Sequence, residues 1–329
     1  MKKTRKLLSI ILTILMLSFV FVGCDNAVDD NGNNGTDVET PGDTTDDQTD
    51  TNQPTDTENK KIGMILSTLN NPFFVTMKDG AEQKANELGY DLIVLDSKDD
   101  APTERANVED LVQQEVAVII INPTDSDAVG NAIMVANESN IPVITVDRSA
   151  NTGEVVAHIA SDNAAGGKLA GEYILEQIGN AGKLVELQGI PGASATRDRG
   201  AGFHEAVDGV EGVEVVASQS AEFDRQKGLN VMENIIQATP DFNAVFAHND
   251  EMALGALQAV KSANMDVVIV GFDGTDDAVQ AVQDGDMAAT VAQQPDVMGS
   301  LAVENAMKHL GGEQLEEYIP VDLKLITKE

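Results

Sequence analysis

Residues 117–148 read AVIIINPTDSDAVGNAIMVANESNIPVITVDR. A β-branched run at 117–121 ends in the polar segment Asn122-Pro123-Thr124-Asp125, helical spacing follows over 126–138, and a second β-branched run at 142–146 ends in Asp147-Arg148. That order is a strand, a crossover helix and a second strand parallel to the first. The same alternation extends in both directions. Strands are expected at 61–66, 91–95, 156–160, 183–187, 213–217, 244–247, 267–271 and 288–292, with helices at 74–88, 104–115, 163–179, 196–208, 225–238, 250–263, 275–284 and 296–310. Ser161-Asp162-Asn163 and Asn249-Asp250 supply side-chain oxygens for the free N–H groups of the helices that follow them. Ten strands are many for one doubly wound sheet, and the hydrophilic joint near Ser161-Asp162 divides them about evenly. The expected fold is therefore α/β, with two similar lobes, each a parallel sheet flanked by helices, and a cleft between them.

The chain has 329 residues, of which 42% are hydrophobic and 23% charged, enough for two domains with substantial cores. Fifty-five acids stand against 21 bases, and the formal net charge of -34 would repel a nucleic acid at long range. One cysteine, Cys24, excludes an intramolecular disulfide and multi-cysteine metal chemistry. The four histidines, at 158, 204, 248 and 309, include no i,i+4 pair, so no metal site is expected.

Residues 1–23 have a basic start, an uncharged apolar stretch from Leu7 to Val22, and Gly23 ahead of Cys24, the layout of a secretory signal peptide. The apolar stretch is shorter than the ~20 residues a spanning helix needs. Phe21-Val22-Gly23-Cys24 resembles the lipobox of bacterial lipoproteins, which implies lipidation at Cys24 and attachment to the outer face of the cell membrane, or to the periplasmic face where an outer membrane is present. Residues 24–59 then read as a disordered acidic linker, since 25–59 hold eleven acids and no base and have almost nothing apolar to bury. Setting aside those eleven acids and the four bases of the leader still leaves a net charge of -27 on residues 60–329. The acidity belongs to the folded part too.

In open parallel sheets, ligands bind beyond the carboxyl ends of the strands. Here those ends carry Ser67 to Phe74, Asn122 to Asp125, Asp147-Arg148, Arg197 to Arg199, Phe223 to Arg225, Asn249-Asp250, Phe272-Asp273 and Gln293. Carboxylates, guanidinium groups and amides beside phenyl rings suit a polyhydroxylated ring, whose hydroxyls donate and accept while its C–H faces pack on aromatic surface. Nucleotide and hydrolase readings lack their parts. There is no GxGxxG after the first strand, no GxxxxGK[ST], no GxSxG and no HExxH. Arg148 directly after Asp147 disfavours a general-acid role for that carboxylate, as a glycosidase would require. Gly166, Gly167 and Gly171 fall inside a helical pattern and point to close packing, and Met232, Met252 and Met298 lie on apolar helix faces and point to core.

Six stretches carry a resemblance: 67–74 (STLNNPFF), 121–129 (INPTDSDAV), 141–148 (IPVITVDR), 158–163 (HIASDN), 249–256 (NDEMALGA) and 270–275 (VGFDGT). In this order they resemble the type I periplasmic sugar-binding proteins of bacteria, in their ribose-binding branch, over about residues 60–329. The resemblance implies the type I periplasmic-binding-protein fold, its lobes hinged by three crossings near Ser161, Gln293 and Val321. The lobes would be 60–161 plus 294–321 and 162–293 plus 322–329. It implies D-ribose as ligand, delivery to an ABC importer permease, no cofactor, no catalytic residue and a monomeric chain, with a chemoreceptor as a further partner. The ribose contacts it implies are Ser67, Asn71, Phe73, Phe74, Asn122, Asp147, Arg148, Arg199, Phe223, Asn249, Asp273 and Gln293. Phe74 and Phe223 would face the two sides of the sugar ring, with Phe73 closing the wall. His248 departs from the glutamine more usual beside Asn249, and Thr196 from an alanine.

Within that family another sugar remains open at this stage: allose, a different pentose or an autoinducer-2-like furanose. A sugar-sensing core related to the lactose-repressor family shares the architecture, but the leader and the charge oppose it and no DNA-binding helices precede the first strand.

Overall fold

The computed structural model describes residues 61–328. The leader at 1–23, Cys24 and the acidic segment 24–59 lie outside the described residues. The first sheet contains β1 (Lys61–Leu66), β2 (Asp91–Asp96), β3 (Val118–Ile121), β4 (Val143–Val146), β5 (Ala157–Ser161) and β11 (Tyr318–Val321), in the order β11-β5-β4-β3-β1-β2. The second contains β6 (Gly182–Gln188), β7 (Val213–Ser220), β8 (Ala244–Ala247), β9 (Val268–Asp273), β10 (Ala289–Ala292) and β12 (Lys324–Thr327), in the order β12-β10-β9-β8-β6-β7. Both follow one doubly wound pattern, with the first strand of each half between its second and third. Every pairing is parallel except β10 with β12.

The strands form because their apolar runs are buried on both faces, as parallel sheets require. All four residues of β3 are fully buried, and each such aliphatic side chain contributes about 1.5–3 kcal/mol relative to exposure. Helices α1 (Pro72–Leu88) and α9 (Pro295–Leu310) pack on one face of the first sheet, and α2 (Ala101–Gln113) and α3 (Val129–Glu138) on the other. The second sheet is covered by α4 (Asn163–Gln177) and α5 (Ser194–Val207) on one face and by α6 (Arg225–Ala238), α7 (Asp250–Ser262) and α8 (Asp276–Asp284) on the other. Met232, Met252 and Met298 are fully buried in these cores.

The chain passes between the sheets three times among the described residues, after β5, after β10 and between β11 and β12. Gln294 Nε2 donates to the Asp322 carbonyl at 3.0 Å and ties two of these passages together. Strands β11 and β12 are absent from the sequence expectation. They are four-residue edge strands, one holding Pro320, which an edge position tolerates because it lacks the N–H of an inner ladder.

Helices α4 and α5 meet at backbone distance. A Cβ on Gly167 would fall 2.0 Å from the Arg199 carbonyl oxygen, and one on Gly202 1.9 Å from that of Ala164. The glycines inside the helical pattern thus serve close packing, and that packing sets the height of Arg199 above the sheet. Gly167→Val is expected to push α5 off α4 and lower stability by about 1–3 kcal/mol. Thermal unfolding checks this, and an unchanged midpoint would contradict it.

Candidate functional site

The carboxyl ends of both sheets open onto a shared cavity. The first lobe lines it with Asn71, Phe73, Phe74, Asp147 and Arg148, and the second with Ala195, Arg199, Phe223, Asn249 and Asp273. Nine of the twelve residues singled out from sequence are therefore brought together on the cavity wall, and Ala195 joins them. An alanine carries no chemistry that a reading by residue type could find.

Ser67, Asn122 and Gln293 stand behind that wall. Asn122 accepts from the Ser67 N–H at 3.3 Å and donates to Val146 O and Asp147 Oδ2, each at 3.1 Å, so it fixes the Asp147 carboxylate. Gln293 Nε2 donates to Asp273 Oδ1 at 2.9 Å. Asn71 and Asn249 are N-caps as well as wall residues, their side-chain oxygens accepting from Phe73 N and Met252 N. The Asn249 amide also donates to the Phe223 carbonyl at 3.2 Å, which places that ring.

Two guanidinium groups enter the cavity, one from each lobe. Arg148 Nη1 donates to Pro123 O at 3.3 Å, and its Nε lies 3.7 Å from Asp147 Oδ2. The Arg148 guanidinium stacks 5.2 Å from the Phe74 centroid and 5.1 Å from that of Phe223. Arg199 Nε donates to Asn163 Oδ1 at 2.8 Å and Nη1 to the His248 carbonyl at 2.6 Å, with Asp273 Oδ1 at 3.6 Å. Its plane lies 3.8 Å from the Phe272 centroid. Burial pushes Arg199 below the ordinary guanidinium value, while Asp273 and Asp147 oppose that shift. Burial raises the Asp273 carboxyl well above the ordinary 3.8 although Arg199 and Gln293 pull it down. A hydroxyl donor in the cavity would favour its charged form.

Among the described residues Asp147 Oδ1 and Arg148 Nε are buried without a hydrogen-bond partner. An acceptor and a donor left open beside aromatic faces can together take a ligand rich in hydroxyl groups. Three wall residues also sit at positive φ: Asp147 at 61°, Phe223 at 60° and Asp273 at 128°. Such backbone costs of order 1–3 kcal/mol per residue and persists where the surroundings over-determine it.

The lobes touch across the cleft. Ser126 N–H donates to the Gly192 carbonyl at 3.0 Å and Ser149 N–H to Ser194 Oγ at 2.9 Å. A Cβ on Gly192 would lie 1.8 Å from Asp125 Oδ2, so a side chain there would have to displace that carboxylate. No group of three or more His, Cys, Asp or Glu residues is disposed to hold a metal ion among the described residues.

Glu104 supports the site from α2, where sequence reading passed over it. Its Oε1 accepts from Thr124 N at 2.7 Å and holds the segment whose Pro123 carbonyl receives Arg148. Burial raises its carboxyl from 4.5 to about 7. An acid raised on folding binds more protons in the native state, so its contribution to stability is complete below about 4.5 and is lost as pH rises to about 7. The loss reaches about 3 kcal/mol at 1.36 kcal/mol per unit. Glu104→Gln keeps the acceptor and should raise the unfolding midpoint at pH 8 but not at pH 4. No gain at pH 8 would contradict the burial argument.

A family model described as a periplasmic binding protein domain matches residues 62–314. The chain is 58% identical over 267 residues to the ribose import binding protein RbsB of Haemophilus influenzae, covering 81% of this chain and 91% of that protein. It is 57% identical over 269 residues to the protein of the same name from Escherichia coli, covering 82% and 90%. Among solved structures, a periplasmic solute-binding protein of an ABC transporter from Actinobacillus succinogenes, with bound D-allose, superposes with a TM-score of 0.77 at 32% identity, covering 82% of this chain and 97% of that one. Two doubly wound lobes, three passages between them and a polar, aromatic cavity at their strand ends agree with these likenesses, and the chain belongs to the periplasmic binding proteins.

Proposed function

We propose that the chain captures D-ribose between its lobes and delivers it to the permease of an ABC importer, without covalent chemistry of its own. The observation that carries this reading is the cavity itself, where the open Asp147 Oδ1 and Arg148 Nε lie beside Phe74 and Phe223. High identity to ribose import binding proteins along most of the chain supports the choice of sugar. In this reading Phe74 and Phe223 sandwich the ring while Asp147, Arg148, Arg199, Asn249, Asp273 and Asn71 take the hydroxyls. Ser67, Asn122 and Gln293 act from behind the wall. Residues 60–161 plus 294–321 and 162–293 plus 322–329 move as the two lobes, a division that the sheet membership of β11 and β12 supports.

The mechanism is a population shift. A sugar that bonds to both lobes is fully satisfied only when they are closed, so its differential affinity for that state sets the extent of closure. The permease then recognises closed lobes and releases the sugar by drawing them apart. Export by the leader and lipidation at Cys24 would hold a monomeric binding protein at the outer face of the membrane, close to its permease and within reach of a chemoreceptor.

Calorimetric titration with D-ribose, alongside D-allose, xylose, galactose and glucose, tests the reading. One-to-one binding tightest for D-ribose, with no turnover, is expected. Asp273→Ala removes the partner of Arg199 and an acceptor of the sugar, and should weaken binding by about 2–3 kcal/mol, some 30- to 150-fold. Tighter binding of another sugar would overturn the ligand, and full affinity in the variant would overturn the site.

A further inference from the structure

Behind Arg199, away from the cavity, a carboxylate is completely buried at the centre of β6. Glu186 is 0% exposed in the sequence KLVELQ, between Val185 and Leu187, which are also fully buried. Four side chains from four elements approach it. His248 Nε2 donates to Oε1 at 2.9 Å, while Ser218 Oγ and Gln188 Nε2 donate to Oε2. His204, half exposed on α5, places Nε2 3.4 Å from Oε2 and bonds Asp208 at 3.1 Å through Nδ1. These donors hold the Glu186 carboxyl below its ordinary value despite its burial, so it is charged at neutral pH. His248 must carry its proton on Nε2, because its partner only accepts. Its Nδ1 has no partner among the described residues, which fits a neutral ring.

The pair sits one residue from the site. His248 follows the last residue of β8, and its N–H still pairs with Leu187 O at 2.9 Å. Its carbonyl turns to Arg199 Nη1 at 2.6 Å. With no strand partner for that carbonyl, the orientation of the peptide between His248 and Asn249 depends on side chains: the imidazole on Glu186 to one side, the Asn249 amide on Phe223 O to the other. Helix α5 closes over the pair at Gly200, where a Cβ would lie 3.3 Å from the imidazole and 3.4 Å from Glu186 Oε1. A buried charge is a costly way to fill a strand interior, and an apolar side chain would serve packing better. It is justified where it fixes a direction.

We propose that Glu186 and His248 are positioning residues for Arg199: the buried carboxylate locks the imidazole, and the locked residue presents the carbonyl that aims the guanidinium into the cleft. The proposal rests on the sugar-binding reading only in that Arg199 is taken to meet the ligand. Two readouts separate the two. One is D-ribose titration of the full chain and of the variants His248→Leu, His248→Gln, Glu186→Leu, Arg199→Lys and the double variant His248→Leu/Arg199→Lys. The other needs no ligand: the ¹⁵N resonances of the Arg199 side chain, which report whether its Nη groups rotate freely.

His248→Leu removes the donor and is expected to weaken binding about tenfold or more. His248→Gln restores an N–H to Glu186 and should bind within about threefold of the unaltered chain. The double variant should be no weaker than Arg199→Lys alone, since residues that act as one unit are not additive. In the ligand-free spectra, His248→Leu should free the Arg199 Nη groups while His248→Gln keeps them held. If His248→Leu does not fold, Glu186→Leu removes the acceptor and gives the same comparison, with a loss of affinity and freed Nη signals expected. Losses that multiply in the double variant, or an Arg199 signal unchanged in both His248→Leu and Glu186→Leu, would overturn the proposal. If the unaltered chain fails to bind D-ribose, the sugar reading falls, and the ligand-free spectra still decide the positioning role.

Discussion

Two buried guanidinium groups face one cavity from opposite lobes, and much of the surrounding structure follows from having to accommodate them. Arg148 and Arg199 are each 3% exposed. Unpaired, such charges would carry a desolvation cost of several kcal/mol. Each is therefore supplied with acceptors: Pro123 O and Asp147 at strand ends of the first sheet for Arg148, and His248 O and Asp273 at strand ends of the second, with Asn163 at the start of α4, for Arg199. Phenyl rings fill the remaining faces, and Phe223 lies beside both cations. The acceptors need supports of their own. Asn122 holds Asp147, Gln293 holds Asp273, Glu104 holds the segment of Pro123, and Glu186 holds His248.

This layering explains why the site is at the strand ends and not elsewhere. A parallel sheet directs all its carboxyl ends to one edge, and two such sheets joined three times can present those edges to each other. The rigid part is the pair of sheets with their buried aliphatic faces. The three passages, near Ser161, Gln293 and Val321, carry little regular structure and are where the lobes would hinge in the proposed function. Contacts such as Ser126 with Gly192 and Ser149 with Ser194 form between lobes, so they contribute to closure and not to the stability of either lobe. Positive φ at Asp147, Phe223 and Asp273 places local strain where ligand contacts can offset it.

Most of the architecture was legible because β-branched runs buried on both faces leave an uninterrupted apolar signature, as 117–121 does. The edge strands β11 and β12 left none: they are four residues long and largely unburied, and Pro320 interrupts β11. The cavity wall was legible because strand ends are the expected place and because Asp, Arg, Asn and Phe together suit one chemistry. The supports were not. Glu104 in a helix and Glu186 in a strand are of a residue type that is ordinarily exposed, and only three-dimensional packing shows both to be buried. The positive φ of Asp147, Phe223 and Asp273 was equally hidden, since none of the three is a glycine.

The central claim is that a small ligand is held by closing one lobe on the other. It is tested most directly by energy transfer between dyes placed on exposed positions of the two lobes, Met134 on α3 and Glu205 on α5. The account predicts a distribution that narrows and shifts to one state as D-ribose is added, with a midpoint equal to the dissociation constant. Saturable binding with an unchanged inter-dye distance would contradict it.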